Sequence, residues 1–292
     1  MKLIDGKVVA DSIKHDLKQE VSNLIEKGLR TPHLVVINVG DDPASLSYVK
    51  SKDKASKSVG FTSTLYQLEN NTSQEQLLEI IDYLNKDDEV DGLIVQLPLP
   101  KHINEDVIVN AIDPCKDVDG FHPENIGKMV LGLDTFVPAT PLGITKLIKY
   151  YNIETSGKHC VVLGRSHIVG TPMAILLSRN TEFANCTVTL CHSKTKNIKE
   201  ICLQADIIVA AVGKPHYLTE DMVKEGAVVI DVGISSVKSD KTKSGYAITG
   251  DVDFENVAKK CSYITPVPGG VGPVTIAGLL YNTLKAYRCR TK

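Results

Sequence analysis

No charge of either sign dominates this chain: 33 basic against 35 acidic side chains leave a formal net charge of −2 over 292 residues. No basic stripe stands out, so neither a nucleic acid nor an anionic membrane surface has an electrostatic footprint to bind. No apolar run approaches the roughly 20 residues that span a bilayer. The N-terminal Met-Lys-Leu-Ile-Asp-Gly-Lys turns polar within a few residues and does not read as a secretory signal. Of seven cysteines, no two stand at Cys-x-x-Cys spacing. An odd number of thiols in a long chain points to reduced cysteines, most of them small core residues, in a cytoplasmic protein. No metal site is expected from such spacing. The composition, 42% hydrophobic and 23% charged, is that of a globular protein, and the length suits one large or two medium domains.

What the chain does have is alternation. Helical and strand patterns follow one another from end to end, which predicts an α/β protein with a mainly parallel sheet. Apolar residues at 9, 13, 17, 21, 24 and 25 predict a helix over 8–25 that stops at Gly28. A strand over 34–39 follows. Asp42 as N-cap and Pro43 at N1 then launch a helix to Ser58. A strand is expected over 61–68, and Thr72 with Glu75 as a capping box for a helix to Leu84. Residues 92–97 form a buried strand, 113–141 read as loop, and Thr140-Pro141 caps a helix to about Tyr151. From His159 the pattern restarts. Strands over 159–163, 187–191, 207–212 and 228–232, with glycines at strand ends, describe a dinucleotide-binding half-sheet. A polar hairpin or loop is expected over 238–246 and a final helix over 276–286.

The strongest local signal is Val161-Val162-Leu163-Gly164-Arg165-Ser166-His167-Ile168-Val169-Gly170-Thr171-Pro172. A strand delivers the chain to a glycine that can turn without a Cβ clash. The next helix aims its free N–H groups at the place of a pyrophosphate. Only the outer glycines of Gly-x-Gly-x-x-Gly are present, with Ser166 at the middle position, so an ordinary strand-to-helix turn remains a second reading. The next strand ends Leu190-Cys191-His192-Ser193-Lys194, without the carboxylate that would hold a ribose 2′-hydroxyl. A guanidinium at Arg165 and a hydroxyl at Ser193 suit a 2′-phosphate, which favours NADP over NAD.

Upstream, Tyr48 and Lys52 share one face of the helix from Pro43. Such a pair serves chemistry or merely an amphipathic surface, and spacing alone leaves both open. It precedes the glycine turn by over a hundred residues, an order that excludes a short-chain dehydrogenase. Gln96 ends a buried strand, where an unmatched amide costs on the order of 1–3 kcal/mol. Asp117 and Asp119 flank a turn and could be turn chemistry alone. Pro266-Val267-Pro268-Gly269-Gly270-Val271-Gly272-Pro273 is too rigid for a linker and suits backbone packed on a flat ligand.

The runs Tyr48-Val49-Lys50-Ser51-Lys52, Val95-Gln96-Leu97-Pro98-Leu99-Pro100, Lys116-Asp117-Val118-Asp119-Gly120-Phe121, Gly164-Arg165-Ser166 with Val169-Gly170, and 266–273 occur in a fixed order. Together they closely resemble the bifunctional methylenetetrahydrofolate dehydrogenase/methenyltetrahydrofolate cyclohydrolase family along essentially the whole chain. The resemblance implies an N-terminal α/β catalytic domain and a C-terminal Rossmann-like dinucleotide-binding domain, with the active-site cleft between them. Residues 1–145 would be the folate-binding domain, with 275–292 packing back on it, and 146–274 the NADP-binding domain. It implies oxidation of 5,10-methylenetetrahydrofolate with NADP, then hydrolysis to 10-formyltetrahydrofolate, in one-carbon metabolism that supplies purine biosynthesis.

Carried across by motif, Lys52 would be the cyclohydrolase lysine, Gln96 would orient it, and Tyr48 would stack on folate. Asp119 would hold the pterin donors. Gly270, Gly272 and Pro273 would line the folate side, and Gly164, Arg165, Ser166, Ser193 and Ile234 would contact NADP. No metal is implied, and members pair as homodimers. Two departures stand out: Ala139 replaces a common cysteine in Pro138-Ala139-Thr140-Pro141, and Val274 a common methionine. Neither touches Lys52, Gln96 or Asp119. An NADP dehydrogenase of the same architecture acting on another small substrate would leave Lys52 and Gln96 without a joint task. A catalytically idle nucleotide sensor would not need every polar site residue in place.

Overall fold

The structure, a computed structural model, describes residues 1–238 and 245–291. The chain divides into two compact units, one of Met1–Ala10 with Thr140–Thr275, the other of Asp11–Ala139 with the segment from Ile276 onward.

The first unit is built on a six-stranded sheet, all of whose pairings are parallel, in the order β1-β11-β8-β7-β5-β6. Strands β5 (His159–Leu163), β6 (Thr187–Cys191), β7 (Ile207–Ala210) and β8 (Val228–Asp231) lie where the apolar runs place them. β7 and β8 are buried along their whole length, which explains unbroken apolar sequence in place of alternation. β1 (Lys2–Leu3) and β11 (Tyr263–Ile264) are two-residue strands, too short to register in a periodic pattern. Helices α7 (Gly170–Ser178), α8 (Ile198–Cys202) and α9 (Phe254–Val257) intervene. Val161, Ile208, Val229 and Val257 are among the buried residues of this unit's core.

Two strands, β9 (Ser235–Lys238) and β10 (Tyr246–Thr249), pair antiparallel where a hairpin or loop was expected. The rest of that expectation, 239–244, lies outside the described residues. α6 (Ala139–Tyr150) already includes Thr140, so Thr140 is a helical residue and not the cap.

The second unit has a three-stranded parallel sheet, β3 (Thr62–Leu68), β2 (His33–Val39) and β4 (Gly92–Val95), with β2 central. Asp42 caps α2 (Pro43–Ser58), accepting from Ser45 N at 2.8 Å with Pro43 in the first turn, as the sequence predicts. The capping box of α3 (Gln74–Lys86) falls one residue later than expected, on Ser73 and Gln76. There both reciprocal bonds form: Ser73 N to Gln76 Oε1 at 2.9 Å and Gln76 N to Ser73 Oγ at 3.2 Å. Two short helices, α4 (Glu105–Ala111) and α5 (Pro123–Leu131), add to the elements the sequence predicts. The prolines and Asp-Gly around α5 read as loop, whereas Pro123 sits in its first turn and Gly132 ends it in the left-handed region.

α1 (Gly6–Glu26) and α10 (Val271–Arg290) complete the set, and α10 exceeds its predicted length at both ends. Leu280, Leu284 and Tyr287 of α10 pack with Leu17 and Val21, and Asn282 Nδ2 donates to Val118 O at 2.8 Å and Val137 O at 2.9 Å. Among the described residues no helix is long and apolar enough to cross a membrane. Five cysteines are buried, and Cys115 and Cys289 are exposed. Burial pushes the thiols of Cys202 and Cys261 up to about 12, so both act as core residues and not as nucleophiles.

Candidate functional site

In the second unit, helix α2 buries Val49, Lys52 and Ser56, residues spaced three and four apart, on one face. A lysine ammonium out of water requires acceptors. Lys52 is only 8% exposed, and its Nζ donates to Gln96 Oε1 at 3.0 Å. Gln96 is itself fixed twice. Its backbone N–H donates to Ile37 O at 2.8 Å, extending the ladder past the end of β4, and its Nε2 donates to Leu97 O at 2.6 Å. That second bond fixes the amide's orientation and leaves Oε1 for Lys52. Tyr48, one turn earlier on the same face, is half-buried, and burial raises its phenol pKa, so it stays neutral at physiological pH.

Lys116 O accepts from Leu93 N at 2.8 Å, which sets the Asp117–Asp119 turn beside β4. The two aspartates, paired in sequence as flanks of that turn, do different things. Asp117 is buried and accepts from Gly120 N, Phe121 N and His122 N at 3.1, 3.2 and 2.8 Å, and from Asn125 Nδ2 at 2.9 Å. Asp117 thereby builds the loop on which half-buried Asp119 stands. Gly120 is required there: its φ is +75°, and a Cβ would come within 2.8 Å of Pro138 N. Lys116, fully buried, ends α3 by donating to Leu84 O at 2.8 Å and Asp87 O at 2.6 Å. Sequence patterns did not single out Lys116, because a lysine in a polar loop normally reads as solvated.

In the first unit the glycine turn is tight. Gly164 has φ +107°, and a Cβ there would lie 2.1 Å from Ala211 O; one at Gly170 would lie 2.0 Å from Gly164 O. Ser166 Oγ accepts from Val169 N at 3.1 Å, so the serine at the middle fingerprint position caps the entry to α7. A cavity of about 280 Å³ opens over the turn, lined by Gly164, Arg165, Ser166 and Ser193 together with Val212 and Lys214. Arg165, Ser166 and Ser193 are exposed there.

These residues fit a phosphorylated dinucleotide: backbone clearance at two glycines, a helix start, and a guanidinium with hydroxyls. Ile234 is exposed and does not line this cavity; a Cβ on Gly272 would lie 3.8 Å from its Cδ1. Gly270 is buried, with a Cβ position 2.5 Å from Pro266 O, and Gly269 O accepts from Gly6 N at 2.9 Å. Pro273 is half-buried in the first turn of α10.

A parallel sheet ending in such a turn and crevice defines a dinucleotide-binding protein of the doubly wound class. Comparison with known proteins narrows the class. Residues 4–119 match the model of the tetrahydrofolate dehydrogenase/cyclohydrolase catalytic domain, and residues 138–291 that family's NAD(P)-binding domain. The bifunctional protein FolD of Porphyromonas gingivalis is 57% identical over 285 residues, 98% of this chain and 96% of its own. The crystal structure of the bifunctional FolD enzyme of Campylobacter jejuni superposes with a TM-score of 0.92 at 51% identity, covering 99% of each chain. The Trypanosoma brucei enzyme, solved with NADP cofactor and inhibitor, gives 0.95 at 38% identity over 100% of this chain and 98% of that one.

The chain belongs to the tetrahydrofolate dehydrogenase/cyclohydrolase family. It is an enzyme with that family's paired activities, an oxidoreductase and a hydrolase acting on tetrahydrofolate derivatives, as the sequence motifs implied.

Proposed function

We propose that this chain oxidises 5,10-methylenetetrahydrofolate with NADP and then hydrolyses the methenyl cation to 10-formyltetrahydrofolate, with Lys52 as the proton-handling group. The observation that carries the assignment is the buried bond from Lys52 Nζ to Gln96 Oε1 at 3.0 Å. When bound, NADP supplies the acceptor for a hydride. Arg165 and Ser193 take the 2′-phosphate, Gly164 lets the backbone approach the pyrophosphate, and Ser166 and Ile234 add contacts. Tyr48 stacks on the folate, Asp119 receives hydrogen bonds from the pterin, and Gly270, Gly272 and Pro273 line its folate side.

In the hydrolytic step Lys52 accepts a proton from the attacking water and returns one to the ring nitrogen as the carbon–nitrogen bond opens. One proton is released overall, because the substrate cation becomes a neutral formyl amide. Gln96 keeps the Lys52 amine aimed through this exchange. The catalytic and nucleotide domains of this reading are residues 1–145 with 275–292, and residues 146–274, except that residues 1–10 and 140–145 belong to the compact unit of the nucleotide sheet. The enzyme acts as a homodimer in the cytoplasm, where its thiols stay reduced.

Absorbance of the methenyl intermediate tests the assignment. Lys52→Met should abolish hydrolysis while methenyl formation continues, so the intermediate accumulates. Equal loss of both steps would overturn the role given to Lys52.

A further inference from the structure

Two buried carboxylates in the first unit have no part in the chemistry above. Asp231 ends β8 at 2% exposure, and Asp251 is fully buried. Burying a carboxylate is costly unless donors surround it. Here the donors are backbone amides. Asp231 Oδ1 accepts from Gly233 N and Asp251 N, both at 2.9 Å, and Oδ2 accepts from Val252 N at 3.0 Å. Thr265 Oγ1 accepts the Asp231 N–H at 2.7 Å. Asp251 Oδ2 in turn accepts from Val212 N at 2.6 Å and Gly213 N at 2.9 Å. Its Oδ1 is buried and unpartnered among the described residues.

Glycines make the room. A Cβ at Gly250 would lie 1.9 Å from Asp231 Oδ2, and one at Gly233 would lie 2.4 Å from Asp251 Oδ1. Asp251 O also accepts from Leu218 N at 2.9 Å, which ties down the far end of the same loop. The result is a chain of support running from β8 through Asp251 to the turn after β7. Val212 and Lys214 of that turn line the nucleotide crevice.

The arrangement has a direction. Both N–H groups of the turn point inward to Asp251 Oδ2, so they are withdrawn from the crevice. A single carboxylate oxygen accepting two amides sets the turn more firmly than neutral acceptors would, since bonds to an ionised group are shorter and stronger. No proton or hydride transfer needs either carboxylate.

We infer that Asp251, itself held by Asp231, is a positioning residue that fixes the turn at Val212 and Gly213, and with it the Val212 and Lys214 wall of the crevice, and so sets affinity for the dinucleotide. The inference rests on reading the crevice as the NADP site. It is tested on the full chain with Asp251→Ala and Asp251→Asn, using NADPH fluorescence for Kd, steady-state kinetics for the KM and kcat of NADP, and amide hydrogen exchange. Asp251→Ala should raise Kd and KM on the order of tenfold or more, the loss expected of a hydrogen bond to a charged group. At saturating NADP its kcat should stay within about threefold of wild type, since only transition-state contacts would lower it further.

Asp251→Asn, which keeps one acceptor oxygen, should fall between wild type and the alanine variant. The amides of Val212 and Gly213 should exchange faster in both. Should the alanine variant not fold, the asparagine variant carries the test. Unchanged NADPH affinity in a folded variant whose 212 and 213 amides exchange faster would overturn the positioning role. A fall in kcat without a rise in Kd would also overturn it. Failure of the wild-type protein to bind NADPH would instead remove the crevice reading on which it stands.

Discussion

Lys52 and Gln96 are 44 positions apart in sequence, and their side chains meet at 3.0 Å, with the Gln96 amide locked from behind by Leu97 O. The acceptor is a neutral amide, which orients the amine but places no counter-charge beside it. Gln96→Glu tests this distinction. The variant keeps an acceptor at the same place but adds a charge beside a buried amine, which should hold the proton on Lys52. The expected outcome is slower methenyl hydrolysis at neutral pH, by roughly 10²-fold, with the pH profile displaced upward. A profile superposing on wild type would show that Gln96 does not govern the Lys52 proton.

The regular elements were legible because their signals are local. Asp42-Pro43 starts α2, apolar runs mark β5 to β8, and a glycine follows β5. What stayed hidden depends on distant partners. The two-residue strands β1 and β11 exist only because each pairs with a neighbour remote in sequence. Asp117 and Asp119 look alike two residues apart, and only the loop folding onto Asp117 separates a buried structural carboxylate from its half-buried neighbour. Lys116 and Asp251 carry charge in polar stretches, and nothing local reveals that both are buried. Ser166 was legible as a departure from the glycine fingerprint, but its capping of Val169 N was not.

Arg165 stands exposed on the wall of the crevice beside Ser193. If its guanidinium meets a 2′-phosphate, its removal should penalise NADP and leave NAD nearly untouched. A charge-assisted bond is worth about 1.5–3 kcal/mol, so Arg165→Ala should raise KM for NADP by roughly 10- to 100-fold. Steady-state kinetics with both dinucleotides check this. An unchanged NADP-to-NAD ratio would refute the contact.

Gly164 combines two constraints that a pair of variants can separate. Gly157 has φ +71° with open space around it, whereas Gly164 has φ +107° and a Cβ position 2.1 Å from Ala211 O. Gly157→Ala should therefore cost only the left-handed backbone strain, about 1–2 kcal/mol. Gly164→Ala adds a backbone clash that separates β5 from the end of β7, so its loss should be clearly larger and should weaken NADPH binding as well. Denaturant midpoints of the two variants decide the matter. Equal losses would show that the turn after β5 relaxes without consequence.

Asp231 carries a pH dependence whose sign is opposite to that of a carboxylate whose pKa folding lowers, such as Asp206. Burial raises its pKa from 3.8 to about 6; three backbone N–H bonds oppose the shift, and the charge of Asp251 adds to it. A carboxyl raised in the folded state binds its proton more tightly there than in the unfolded chain. Between these two values the folded protein holds more protons, so stability falls as pH rises. The favourable contribution is complete below about 3.8 and is lost as the pH climbs through about 6. Asp231→Asn cannot ionise and lacks this slope. Its stability relative to wild type should therefore improve between pH 4.5 and pH 7.5, by on the order of 2 kcal/mol, even if the lost acceptor makes it less stable at every pH. Urea unfolding of both proteins across that range measures the difference directly. A constant gap would mean that Asp231 is ionised throughout and that its backbone donors outweigh its burial.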